Sequence, residues 1–127
     1  MRHELLCVLS NEQLAILKEY NLLESLEKLI FEENLINCEY PDYATIFRNS
    51  KIVGMSVVKD KLAIKPVFFD GKEFDCVMMI MRVPQNITFK EISDIIYDVR
   101  DKYNDPNICC GAYYDNDISL TCIFIKY

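Results

Sequence analysis

Two stretches of this chain repeat apolar residues at helical spacing, and one is apolar at every position. Leu22, Leu23, Leu26, Leu29 and Ile30 share one side of a helix predicted over 22–33. Phe89, Ile92, Ile95, Ile96, Val99 and Tyr103 form a similar stripe after Thr88, which makes a capping box with Glu91 at the helix start. Ser10 and Gln13 make a second box, opening a helix with Leu14 and Leu17 on one face, and Asn21 interrupts that pattern. Residues 76–81, CVMMIM, have no polar side, which predicts a central strand covered on both faces.

The remaining elements are shorter. Residues 5–9, LLCVL, read as a strand, and residues 51–58 as another, with Gly54 marking a bulge or a close approach. Residues 34–43 read as a loop, because Pro41 drives Tyr40 out of helical conformation. Residues 44–49 suit either a short helix or a strand, and Pro66 prevents a long helix over 59–69. Asp70-Gly71 marks a turn, and the third long helix stops near Asn104-Asp105-Pro106. The last segment, NICCGAYYDNDISLTCIFIKY, reads as two strands joined by Asp115-Asn116-Asp117 into a hairpin.

This order predicts one α/β (α+β) domain over 1–127: a two-layer sandwich of a roughly four-stranded mixed sheet with flanking helices. Residues 1–33 form its strand and helical N-terminal segment, and 34–127 the sandwich proper. A chain of 127 residues, 51% apolar and 27% charged, can build such a core. No apolar run approaches the roughly 20 residues of a membrane span, and the N-terminus turns polar too quickly for a secretory signal. The expected location is cytoplasmic, with no membrane partner.

A net charge of −6 with scattered Lys and Arg argues against nucleic acid and for protein partners. Six cysteines occur without a C-x-x-C pair, and His3 is the only histidine, so no metal site is expected. Cys76, Cys109, Cys110 and Cys122 fall in predicted strands as small hydrophobes, and reduced thiols are expected throughout. With one terminal histidine and no adjacent nucleophile, no catalytic set can be assembled, and neither an enzyme nor a cofactor is expected.

The final segment resembles the end of the C-terminal (activation) domain of FtsZ, the bacterial tubulin homologue. That family's N-I-x-x-G-A-x-x-D pattern is matched by Asn107, Ile108, Gly111, Ala112 and Asp115. The preceding strand, loop and amphipathic helix are similar in order and spacing. Upstream, LINCEYPDYATIFRNSKIVGMSV is similar to the family's L-I-N-x-D-F-A-D segment through Leu35, Ile36, Asn37, Asp42, Thr45, Asn49 and Gly54. LLCVLSNEQL is similar to the segment before the family's central helix. The family's glycine-rich GTP loop has no counterpart among Gly54, Gly71 and Gly111, nor does the chain carry the family's C-terminal linker and adaptor-binding tail. The resemblance therefore implies an activation domain without its own GTPase.

It also implies candidate site residues. In the family, the loop matching Asn37 to Asp42 inserts two carboxylates into the nucleotide pocket of the next filament subunit. Here Asp42 is kept, Glu39 replaces the first Asp, and Pro41 stiffens the loop. The same acids equally suit a solvated turn that starts a helix. Asp94, Asp98 and Asp101 lie at spacings of four and three, forming an acidic helix face that in the family lies near the subunit contact surface. The implied function is a non-catalytic assembly module that docks on or modulates a full-length FtsZ filament. The alternatives are a self-associating structural domain, whose Leu22–Leu26–Leu29–Ile30 stripe is covered either by its own sheet or by a two-fold homodimer, and a small-ligand-binding α/β domain.

Overall fold

The computed structural model describes residues 3–127. Its strands are β1 (Lys51–Lys59), β2 (Val67–Phe68), β3 (Cys76–Val83), β4 (Asn107–Tyr114) and β5 (Ser119–Lys126). They form one mixed sheet in the order β2-β1-β5-β3-β4. The helices are α1 (His3–Val8), α2 (Asn11–Glu19), α3 (Leu23–Phe31), α4 (Tyr40–Phe47) and α5 (Phe89–Lys102). The expected α/β sandwich is present, with a fifth, two-residue strand at one edge.

Strand alternation explains the layering. On β3, Cys76, Met78 and Ile80 point into a core with α1 to α4, while Val77, Met79, Met81 and Val83 meet α5 on the other face. On β5, Ile123 and Ile125 face the first core, and Leu120, Cys122 and Phe124 the second. Helices thus cover both faces, giving three layers where the sequence suggested two. The α3 stripe is covered by the protein's own sheet: Leu22, Leu26 and Leu29 are all buried in the first core.

The two capping boxes form as expected, at Ser10/Gln13 and Thr88/Glu91. Gln13 goes further and becomes a buried tie. Its amide nitrogen donates to the carbonyls of Phe47 and Ser50 at 2.9 and 3.0 Å, and its oxygen accepts from the Ser10 N–H. On α5, Ile92, Ile95 and Val99 are buried, but Phe89 is 75% exposed and does not belong to the stripe.

Three expectations are corrected. Residues 5–9 are not a strand; Leu5 and Val8, three apart, are the buried positions of helix α1. A five-residue apolar run is too short for its period to decide. Tertiary contacts then hold the helix: Tyr40 and Tyr43 hydroxyls donate to the carbonyls of Glu4 and Leu5. Tyr40 is helical, because Pro41 sits within the first turn of α4, where its missing N–H has no intrahelical partner to lose.

The third correction is topological. β4 and β5 are not a hairpin, since β3 lies between them, parallel to β4 and antiparallel to β5. The β3-α5-β4 unit is a crossover, and residues 115–118 then carry the chain past the end of β3. Two strand spacings are about 9.6 Å, which four linking residues span with ease. The Asp115 N–H bonds the Val83 carbonyl on the way, and Asp115 accepts from the Asp117 N–H, so the turn chemistry is real although no hairpin forms.

Gly54 fulfils both of its sequence expectations. The β1–β5 register shifts between Ile52 and Gly54, so that Ile52 and Met55, three apart, share the α3-side core. A Cβ on Gly54 would sit 2.7 Å from the Phe68 ring and 3.1 Å from the Val67 carbonyl. Gly54→Ala is expected to destabilise the protein by about 1–3 kcal/mol through this overpacking. Urea unfolding checks it, and an unchanged midpoint would show that β2 yields freely.

Candidate functional site

The segment that carries the candidate residues is fastened before it reaches them. Ile36 makes an antiparallel bridge with Ala112, through Ile36 N to Ala112 O at 3.1 Å and the reverse bond at 2.9 Å. Gly111 makes room beside it: a Cβ there would lie 2.7 Å from a Leu29 methyl, so α3 packs directly on the β4 backbone. Asn37 then closes the C-terminus of α3. Its amide nitrogen donates to the Leu29 and Glu32 carbonyls, and its oxygen accepts from the Asn34 N–H at 3.0 Å. All of its hydrogen-bonding capacity near the turn is thus used internally, which positions the loop and leaves little for a partner.

Glu39 is the N-cap residue of α4 and Asp42 lies in its first turn, where a carboxylate complements the helix dipole. Both are exposed, and neither carboxylate makes a hydrogen bond or an ion pair among the described residues, although the Glu39 carbonyl accepts from the Tyr43 N–H. Asp42 rims an open groove of about 490 Å³ between α4 and the start of β4, lined also by Thr45, Ile46, Ile108, Cys109 and Tyr127. The arrangement offers free carboxylates beside a mixed apolar and polar cleft, suited to contacts rather than to bond-breaking.

The second acidic group is elsewhere. Asp94, Asp98 and Asp101 are exposed on α5, which packs on the opposite face of the sheet from α4. Asp94 is engaged by Lys90 at 3.0 Å, an exposed helical pair of small energetic weight. The structure therefore joins Asn37, Glu39 and Asp42 into one site and leaves the α5 acids out of it.

The thiols show two features hidden from sequence. The Cys38 and Cys109 sulfurs lie 3.8 Å apart beneath the groove. That hydrogen bond holds Cys109 below the ordinary thiol range, and the same contact with burial pushes Cys38 up. Burial raises Cys76 to about 11 and Cys110 and Cys122 to about 12, as expected of thiols acting as hydrophobes. His3 also has a nucleophile nearby after all: helix α1 sets its Nε2 3.0 Å from the Cys7 sulfur, four residues on. Both contacts depend on structure that the sequence pattern did not reveal, the Ile36–Ala112 bridge for one and helicity of α1 for the other. No group of three or more metal-ligating side chains occurs among the described residues.

No family model and no curated protein matches this chain. Solved structures do. It is similar to an empty FtsZ dimer from M. jannaschii, with a TM-score of 0.63 and 16% identity over 96% of this chain and 42% of that one. It is also similar to a point mutant of FtsZ from the same organism, with a TM-score of 0.59 and 14% identity over 98% of this chain and 41% of that one. The fold is that of the FtsZ C-terminal domain, and the chain spans less than half the length of these structures.

Removal of Asn37 and of the two acids should separate cleanly. Asn37→Ala leaves the Asn34 N–H without its acceptor and takes one of two donors from each of the Leu29 and Glu32 carbonyls, and is expected to lower stability by about 1–3 kcal/mol. Glu39→Ala and Asp42→Ala are expected to stay within about 0.5 kcal/mol of the parent. Chemical denaturation checks this, and an equal loss from all three would show that the acids hold the loop.

Proposed function

We propose that this domain is a non-catalytic assembly module of the FtsZ/tubulin type, which docks on a full-length FtsZ filament and limits its growth. The observation that carries the reading is the α4 N-terminus. Asp42 stands on the rim of an open groove and Glu39 is exposed at the start of the same helix, while Asn37, held by hydrogen bonds, fixes the loop that presents them. Holding side chains in place before contact lowers the ordering cost of association. Acidic groups that need no internal partner are free to meet the basic or phosphate-coordinating surface of another subunit.

The fold likeness supports the same reading without extending to activity. Cell division, a cytoplasmic location and FtsZ as partner are part of the proposal. No helix among the described residues is long and apolar enough to cross a membrane. Self-association remains an outcome of the same experiment, though the α3 stripe that would have driven it is occupied by the protein's own core.

The test mixes the purified 127-residue protein with FtsZ from the same cell and follows GTP turnover and pelleted polymer over a concentration series. Capping predicts that both fall as the protein is added, and that Glu39→Ala/Asp42→Ala removes the effect without loss of folding. No change at excess protein sinks the proposal. A change that survives the double substitution moves the contact away from the α4 loop.

A further inference from the structure

At the other end of the sheet, about 20 Å along β3 from the groove, the same sheet face carries the opposite chemistry. Strand register builds it. Lys59 of β1, Ser119 of β5 and Arg82 of β3 stand in one row across three strands, and Val57, Thr121 and Ile80 in the next. These six residues floor a cavity of about 90 Å³, roofed by the α2–α3 junction at Asn21, Leu22 and Ser25.

Several features of the cavity point to one kind of occupant. Arg82 donates from Nε to the Ser119 hydroxyl at 2.9 Å, which leaves the outer guanidinium nitrogens to the cavity. Neither Arg82 nor Lys59 has an ion-pair partner among the described residues, in a chain with 20 acidic side chains. Leu22 is the N-cap of α3 and no side chain caps that helix, so first-turn N–H groups are free of an internal partner.

The independent observation is Thr121. It is 3% exposed, lines the cavity, and its hydroxyl makes no hydrogen bond among the described residues. That hydroxyl is not sealed from solvent, unlike the Tyr103 hydroxyl, so a partner for it comes from the cavity it lines. A guanidinium, an ammonium, a free hydroxyl and an uncapped helix start all favour negatively charged oxygen.

We propose that this cavity binds a small tetrahedral oxyanion of the phosphate class. Room for several waters suffices for a phosphate group and excludes a nucleoside. The ligand is therefore inorganic phosphate, or the terminal phosphate of a compound whose remainder stays outside. Arg82 takes two oxygens through its guanidinium, Thr121 donates its hydroxyl from below, and Lys59 supplies charge at the mouth. The site stands apart from the α4 groove, and its occupancy does not depend on whether that groove docks a partner.

Titration of the isotopically labelled protein with inorganic phosphate, at fixed ionic strength, tests this by amide chemical shifts. A parallel arm uses glycerol phosphate. The expected result is saturable shifts confined to residues 22–25, 80–82 and 119–121. Thr121→Val and the exposed Lys59→Gln should each weaken binding about tenfold, the loss of one charge-assisted contact, with shifts elsewhere unchanged. Tighter binding in the ester arm assigns a phosphorylated compound, and tighter binding of inorganic phosphate assigns the free ion. Shifts that never saturate, that spread over the surface, or that survive both substitutions overturn the proposal.

Discussion

β3 and β5 have no side that water can share. Met78 and Ile80 point one way and Val77, Met79 and Met81 the other, and β5 repeats the pattern with Ile123 and Ile125 against Leu120, Cys122 and Phe124. Such a pair must be covered on both faces and flanked on both edges. The rest of the molecule is the solution to that requirement. Helices α1 to α4 cover one face, α5 the other, β1 flanks β5, and β4 flanks β3. Even the aromatic cluster of Phe68, Phe74, Tyr103 and Phe124 serves it, with ring centres 5.0–6.1 Å apart over the α5 side.

Much of this was legible in the residues. CVMMIM announced an inner strand, two capping boxes announced helix starts, and Gly54 announced a bulge, because each rests on local chemistry. What stayed hidden was pairing. The turn at Asp115 looked like a hairpin since turn residues specify a bend, not which strands lie on either side of it. Residues 5–9 looked like a strand since five residues cannot display a helical period, and the tyrosines that hold α1 come from α4. The buried role of Gln13 was equally invisible, because its carbonyl partners lie 34 and 37 residues away.

The candidate site shows the same division. Glu39 and Asp42 both fall at the start of α4, in keeping with the turn that starts a helix, whereas Asn37 proved to be the fastener of the loop. The Cys38–Cys109 contact spans 71 residues and exists only because Ile36 is bridged to Ala112. The family-like Gly111 also gains a physical reason: Leu29 occupies the space where its side chain would be. One sheet face therefore ends in exposed carboxylates beside α4 and in cations without an ion-pair partner beneath α3, so the sign of the local field differs between its two ends.

The position of β5 bears on how this chain finds its fold. β1 pairs with β5 from Lys51↔Lys126 to Lys59↔Ser119, and β5 alone joins the β1–β2 half to the β3–β4 half. The first half of the sheet is therefore complete only when the last element arrives, after a long loop has closed. Such non-local pairing places a mixed α/β domain toward the slow side of its class. Until then, the inner edges of β1 and β3 are both bare and apolar, the condition under which chains aggregate or recruit chaperones. Once β5 is seated, both halves of the sheet share one strand, which couples the opening of either to the other.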